Sequence, residues 1–339
     1  MQPAISILIV NWRSVEYVRK CLSTIFADPS SWRFEVIVVD NASFDGIARV
    51  MPAEFGQAVF LQSTQNLGFG AANNLAFSRS TGARILYLNP DTEIPTGALW
   101  RLAEVLDANP QAGMVGPRLL NTDLSVQATC ITSLPTILNQ MLSFEWLRNA
   151  FPRWTVWGNA ALLSDSKTPS AVEAIAGACM LCRRDVVEQV RGFDASYFMY
   201  LEDMDLCLRI RELGYQIFYV PDVEIVHHGG GSSALRRESN FSSVMQRVSM
   251  VQYFAKHRGS SYAAAYRLLL IPVSVCRIFA LVLALPILWT KRGRAAYYPL
   301  RKWCHVLIWA VGVHPITRGS TQAVSFKDSA PRRLPSEAV

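Results

Sequence analysis

No Asp or Glu occurs between residues 239 and 327, although that stretch carries 12 Lys and Arg. Residues 1–238 are different, with 19 Lys and Arg against 24 Asp and Glu, and the tail 328–339 holds two of each. A mildly acidic body is therefore joined to a basic, apolar C-terminal segment. Its basic residues alternate with long apolar runs, which favours an anionic membrane face over nucleic acid as the partner. Cysteine is sparse: seven residues, odd in number and scattered, which speaks against a disulfide framework and for reduced thiols in a cytosolic setting. The N-terminal "MQPAISILIVNW" has no basic n-region, and its apolar run is too short for a signal peptide, so it reads as a first buried strand. No internal repeat is present. With 51% apolar and 17% charged residues, the chain can bury a sizeable core and is not disordered.

The first ~115 residues alternate strand and helix signals. Residues 5–12, 34–40, 58–63 and 83–91 are β-rich runs, with helical spacing at 15–26 and in "GAANNLAFSRS". This βαβαβαβ rhythm predicts a largely parallel, Rossmann-like sheet, with ligands beyond the carboxyl ends of the strands. Asn11, Asp40 and Asp91 fall at or just after those ends. Residues 120–170 read as an irregular or partly helical insertion near the acceptor side. Order resumes with a strand at 174–183, a helix from Asp185 and a strand at 216–228, followed by a flexible "GGGSS". The expected division is an α/β domain over 1–235, a helical segment over 236–320 and a disordered tail over 321–339. Within the helical segment, residues 268–289 contain one charge, Arg277, which would cost ~2.5–3.5 kcal/mol at the centre of a membrane-spanning helix. Basic residues flank both ends, so an in-plane or re-entrant membrane segment fits better than a clean span, the alternative being a soluble helical subdomain packed on the α/β body.

Several short stretches can carry chemistry. "VVDNASFDG" places Asp40 at a strand end, either to accept a hydrogen bond from a base or ribose or to build a turn. "NLGFGAANN" has Gly68-x-Gly70, but Asn73 stands where a dinucleotide fingerprint needs its third glycine, and the stretch follows the third strand; a dehydrogenase is thereby disfavoured. "YLNPDTEI" presents the oxygen side chains of Asn89 and Asp91 after Pro90 ends the ladder, which suits Mg²⁺ or Mn²⁺ bridging a diphosphate, or simply an Asx turn. In "VEIVHHGGG" the adjacent histidines point to opposite faces of a strand, so at most one is a ligand.

"YFMYLEDMDLCLRIRELGY" contains three acids in four residues. At 100° per residue, Glu202, Asp205, Arg209 and Glu212 share an arc of about 80° and predict a solvated face. Asp203 falls between Cys207 and Ile210 on the apolar side. There it is a helix cap or a positioned general base.

In this order, "SILIVNW", "VIVVDNASFDG", "NLGFGAANN", "LNPDTEI", "VGPRLL", "IAGACMLCRRDV", "RGFDASYFMYLEDMDLCLRIRELGY" and "VPDVEIVHHGGGS" resemble the GT-A-fold, family 2 inverting glycosyltransferases. More narrowly, they resemble bacterial rhamnosyltransferase-type members that build lipid-linked polysaccharides. The resemblance covers about residues 5–233. It implies that Asp40, with Asn41 close by, holds the pyrimidine base, and that Asn66 and Asn73 lie on the nucleotide side. Asp91 is implied as the metal-binding carboxylate, with Asn89 where many members have a first Asp. His227, rather than His228, is implied to complete the Mg²⁺ or Mn²⁺ site, and Asp203 to be the catalytic base. The implied donor is dTDP-L-rhamnose, or otherwise a UDP-sugar of galactofuranose, glucose or GlcNAc. The implied acceptor is a glycan or polyprenyl-diphosphate-linked glycan, met at the cytoplasmic face of the cell membrane. A non-catalytic sugar-nucleotide-binding protein is the competing class. A pyrophosphorylase is disfavoured because "VNWRSVEYVRK" supplies no Gly-rich phosphate loop.

Overall fold

A computed structural model describes residues 3–164, 166–229, 241–288 and 293–313. Strand β1 (Ile5–Asn11) is buried at all seven positions, as a continuous apolar run in a sheet covered on both faces must be. It lies between β2 (Phe34–Asp40) and β4 (Arg84–Leu88), parallel to both, and β3 (Val59–Gln62) extends β2 on its outer side. Helices α1 (Val15–Phe26), α2 (Ile47–Glu54) and α3 (Phe69–Phe77) make the crossovers. The order β3-β2-β1-β4 reverses between β1 and β4, which opens a crevice at their carboxyl ends. The short β5 (Thr92–Glu93) and helix α4 (Ala98–Ala108) follow.

The remaining strands make the sheet mixed. Strand β6 (Ala112–Leu120), beyond the strands expected from the sequence, is central, between β10 (Cys179–Arg183) and β11 (Gln216–His227). It pairs parallel with β11 and antiparallel with β10, which is itself antiparallel to β4. The segment expected to be one strand over 174–183 breaks at Ala176-Gly177-Ala178, separating β9 (Ala174–Ile175) from β10. Its antiparallel partner β7 (Ile131–Thr132), helices α5 (Ile137–Met141) and α6 (Glu145–Ala150), and two 3₁₀ turns give the 120–170 region definite structure. Strand β8 (Ser170–Val172) pairs with β11, and α7 (Arg184–Gln189) follows β10.

All seven cysteines are free. Cys179 and Cys182 have C-x-x-C spacing, but an offset of three along a strand sends their side chains to opposite faces. Both are fully buried, and burial pushes their thiols well above the usual range.

After α8 (Glu202–Glu212) and β11, three helices close the described chain: α9 (Phe241–Arg258), α10 (Ser260–Leu288) and α11 (Gly293–Ala310). A second core joins them to the α/β body through Tyr197, Leu201, Tyr253, Phe254 and Tyr266. Residues 260–283 form a helix long and apolar enough to cross a membrane, with a mean hydropathy of 1.9. Its two arginines turn inward. Arg267 donates to the carbonyls of Trp309 and Ala310 at the C-terminal end of α11, at 3.0 and 3.1 Å. Arg277 lies over the rings of Phe144 and Trp303, at 4.0 and 4.2 Å. Leu268, Leu269, Val275, Phe279, Val282 and Leu283 form an exposed apolar stripe with helical spacing. The central charge that made 268–289 a poor span is thus absent from the outer face. The "GGGSS" segment and the tail lie, but for Gly229, outside the described residues.

Candidate active site

A cleft of about 1140 Å³ opens at the β1/β4 switch point. Val10 and Trp12 from the end of β1, Asn41 after β2 and Asn66 before α3 line one part of it. Asn41 Oδ1 accepts the Leu67 amide at 2.8 Å, and its Nδ2 donates to Asn66 Oδ1 at 3.0 Å. Asn66 Oδ1 also accepts the Gly68 amide at 3.0 Å. Gly68 has a φ of +83°, and a Cβ there would lie 2.2 Å from the Phe198 carbonyl oxygen. Only glycine fits, and the Phe69 amide uses the close approach to donate to that same carbonyl at 3.1 Å.

Asp40 and Asn73 do not reach the cleft surface. Asp40 is fully buried; its Oδ1 accepts from Asn11 Nδ2 at 2.8 Å and from the Ser43 hydroxyl, and its Oδ2 accepts from Gln62 Nε2 at 2.7 Å. It braces the turn that carries Asn41. Asn73 is buried within α3 and donates to the Phe69 carbonyl at 3.1 Å.

The second element of the site is set by strand register. β5 pairs antiparallel with the end of β11, placing His227 opposite Thr92 and therefore beside Asp91. His227 Nε2 is 3.3 Å from Asp91 Oδ1 and 3.2 Å from Asn89 Nδ2. Gln127 grips the histidine from behind: its Oε1 is 3.0 Å from His227 Nδ1, and its Nε2 donates to the His227 carbonyl at 2.6 Å. With the ring proton on Nδ1, the Nε2 lone pair faces Asp91 and Asn89. His228 points away, to Glu93 and to the Thr122 hydroxyl. Gln127 lies in the 120–170 region, where no sequence motif signals it.

The acids of α8 differ from the wheel's expectation. Neither Glu202 nor Asp205 is solvated. Asp205 is completely buried under α9, where it accepts from Arg209 Nε at 2.6 Å, Lys256 Nζ at 2.6 Å and His257 Nε2 at 2.7 Å. The wheel treated α8 in isolation, and a helix from the C-terminal segment covers the face it left polar. Asp203 lines the cleft. Its Oδ2 accepts the Gly177 amide at 3.0 Å and its Oδ1 the Met204 amide at 2.8 Å. It sits one residue inside the helix, the cap position being Leu201. Tyr200 and Leu201 both have positive φ, 69° and 67°, so the turn into α8 holds strain of roughly 1–3 kcal/mol per residue.

Glu202 also lines the cleft, nearly buried, and its Oε2 has no hydrogen-bond partner among the described residues. Burial, and then the adjacent Asp203 charge, push its carboxyl well above the usual range. Burial raises Asp203 too, but the Gly177 and Met204 amides oppose the rise. Both neighbouring carboxyls are thus raised, and only Asp203 has backbone amides that favour its ionised form. The rest of the cleft is lined from the 128–163 region and from α9, α10 and α11, including Arg148, Arg247, Arg277 and Lys302.

A crevice at the switch point of such a sheet, with an Asn-x-Asp turn at one strand end and a carboxylate presented by a following helix, defines a GT-A glycosyltransferase. The family model described as "Glycosyltransferase like family 2" matches residues 3–249, and the chain belongs to that family as a rhamnosyltransferase-like member. It is 30% identical over 213 residues to N-acetylglucosaminyl-diphospho-decaprenol L-rhamnosyltransferase of Mycobacterium tuberculosis, covering 58% of this chain and 67% of that protein. It is 27% identical over 229 residues to rhamnosyltransferase WbbL of Escherichia coli K12, covering 66% and 82%. Mannosyltransferase PcManGT from Pyrobaculum calidifontis, solved with GDP-Man and Mn²⁺, shares the fold with a TM-score of 0.52 and 18% identity over 90% of this chain and 88% of that one.

Proposed function

We propose that this glycosyltransferase transfers L-rhamnose from dTDP-L-rhamnose, with inversion, to a lipid-linked glycan at the cytoplasmic face of the cell membrane. The observation that carries the reading is Asp203, held by two backbone amides on the wall of the same cleft that contains the Asn89–Asp91–His227 cluster. Inversion needs one base to take the acceptor hydroxyl proton while that oxygen attacks the anomeric carbon. Asp203 is that base, its ionised form favoured by the two amides, with the raised carboxyl of Glu202 beside it. Asn41 and Asn66 form the nucleotide side, with Asp40 and Asn73 supporting it from beneath. The donor sugar is supported by the two rhamnosyltransferase relatives.

The residues fit a divalent cation. Asp91 supplies a carboxylate oxygen, and His227 an imidazole lone pair whose tautomer Gln127 fixes. No group of three His, Cys, Asp or Glu side chains suited to a metal occurs among the described residues, so the remaining ligands must come from the donor diphosphate and water. Asn89 lowers the charge of the site relative to a paired-aspartate motif. When bound, Mg²⁺ or Mn²⁺ neutralises charge growing on the leaving diphosphate.

The apolar stripe of α10 and the acid-free charge of the C-terminal segment support seating at an anionic membrane surface. A panel of sugar nucleotides with Mn²⁺ and a prenyl-diphospho-GlcNAc acceptor tests the donor. Transfer from dTDP-L-rhamnose is expected. Transfer from UDP-galactofuranose, UDP-glucose or UDP-GlcNAc alone overturns rhamnose, and binding without transfer from any donor overturns catalysis.

A further inference from the structure

Four cations line the part of the cleft built by the helices: Arg148 from α6, Arg247 from α9, Arg277 from α10 and Lys302 from α11. Among the described residues none of them has a carboxylate within ion-pair distance, and residues 239–327 supply no acid. Three of them surround one ring: Arg277 at 4.2 Å, Lys302 at 5.8 Å and Arg247 at 5.9 Å from the centroid of the buried Trp303. Arg247 is only 8% exposed, and its Nε has no partner; the Nε atoms of Arg277 and Arg148 are also unpartnered.

Buried guanidinium groups without counter-charge are costly, and the ring quadrupole offsets only part of that cost. Their crowding is felt: burial first, then Arg247, lowers Arg277, and burial, Arg247 and Arg277 lower Lys302. A fold keeps such a cluster where an anion completes it. The donor diphosphate is not the natural occupant, because its proposed ligands come from the strand ends, whereas these cations all come from the helices. One of those helices, α10, carries the apolar stripe on its outer face.

We infer that Arg247, Arg277 and Lys302, with Arg148, bind the diphosphate of the acceptor on the inner side of α10, the helix whose outer face carries the apolar stripe. Planar guanidinium groups suit bidentate contact with phosphate oxygens, and Trp303 holds them in register. The site recognises the anionic link between lipid and sugar and so positions the terminal sugar near Asp203. This rests on the reading of the acceptor as lipid-linked, but the binding test below does not require transfer.

The full chain is titrated with farnesyl diphosphate, farnesyl monophosphate, dTDP with Mn²⁺, and phosphatidylglycerol vesicles. The same titrations are made with Arg247→Gln, Arg277→Met and Lys302→Met. Farnesyl diphosphate is expected to bind at least tenfold more tightly than the monophosphate. Each variant is expected to weaken it at least tenfold, with dTDP affinity within about twofold of wild type. Equal weakening of dTDP would assign the cluster to the donor, and loss of vesicle binding alone would assign it to lipid headgroups; either overturns the inference. Unchanged farnesyl diphosphate affinity in all three variants also overturns it. Lys302→Met, at a half-buried position, keeps the test valid if a buried arginine variant misfolds. Failure of rhamnose transfer with intact farnesyl diphosphate binding would sink the donor reading and leave this one standing.

Discussion

The Gly177 amide donates to Asp203 Oδ2 at 3.0 Å, and a Cβ at Gly177 would lie 3.3 Å from that of Asp203. The break between β9 and β10 thus supplies both a donor and the room for the carboxylate. Asp203→Asn keeps the shape and removes the basicity. Transfer is expected to fall by about 10²–10⁴-fold, with dTDP affinity unchanged. Single-turnover transfer alongside calorimetric dTDP binding checks this. Wild-type turnover would remove Asp203 from the mechanism.

Glu202 and Asp203 give the site a pH signature. Asp203 must be ionised to act, and its raised carboxyl predicts an acid limb of kcat/KM above the usual aspartate value of ~3.9. Glu202 binds its proton more tightly folded than unfolded, so its contribution to stability is largest at low pH. It is lost progressively as pH climbs from the unfolded value, ~4.3, through the raised folded one. Glu202→Gln removes that loss. The variant should match wild type in Tm near pH 4.5, exceed it by a margin that grows as pH rises from there, and show a constant advantage above about 8. A constant Tm offset across pH would contradict the assignment.

Asp205 ties α8 to α9 through Lys256 and His257, and pairs with Arg209 on its own helix. Asp205→Asn strands these partners beside a neutral group, and a loss of about 3–5 kcal/mol is expected. Lys256→Met should cost less, since Lys256 is partly exposed and its charge is screened. Urea unfolding of the two variants compares them; an equal or smaller effect of Asp205→Asn would show that the network does not hold the helices together.

Gln127 positions His227 through both ring and carbonyl. Gln127→Ala should weaken Mn²⁺-dependent dTDP binding by about 10–100-fold and leave binding in EDTA unchanged. Asp91→Asn should do the same more strongly. Calorimetry with and without metal separates this from a general loss of fold, in which both titrations would weaken together.

The sheet half of the fold was legible because buried parallel strands announce themselves as unbroken apolar runs, as in "ISILIVN" and "FEVIVVD". Asp203 was legible for a similar reason: a carboxylate on the apolar arc of a helix has to be explained. Asp205 was misplaced because a helical wheel knows nothing of the helix that later covers it. Gln127 was invisible because its partner His227 lies 100 residues away along the chain, and the Trp303 cluster because Arg247, Arg277 and Lys302 meet only when three helices pack. Arg277 read as an obstacle to a membrane span until its direction was known.

That direction yields the last prediction. The outer stripe of α10 is free of charge because Arg267 and Arg277 both face the protein. Leu268 and Phe279 are 65% and 63% exposed on that stripe. Burying each in the acyl boundary would contribute up to ~1.5–3 kcal/mol. The double variant Leu268→Glu, Phe279→Glu is therefore expected to lose at least tenfold in flotation with phosphatidylglycerol vesicles. Its Tm should stay near wild type, since neither side chain packs in the core. Retained flotation would show that basic charge alone holds the enzyme at the membrane, and a large drop in Tm would show that the stripe packs against protein instead.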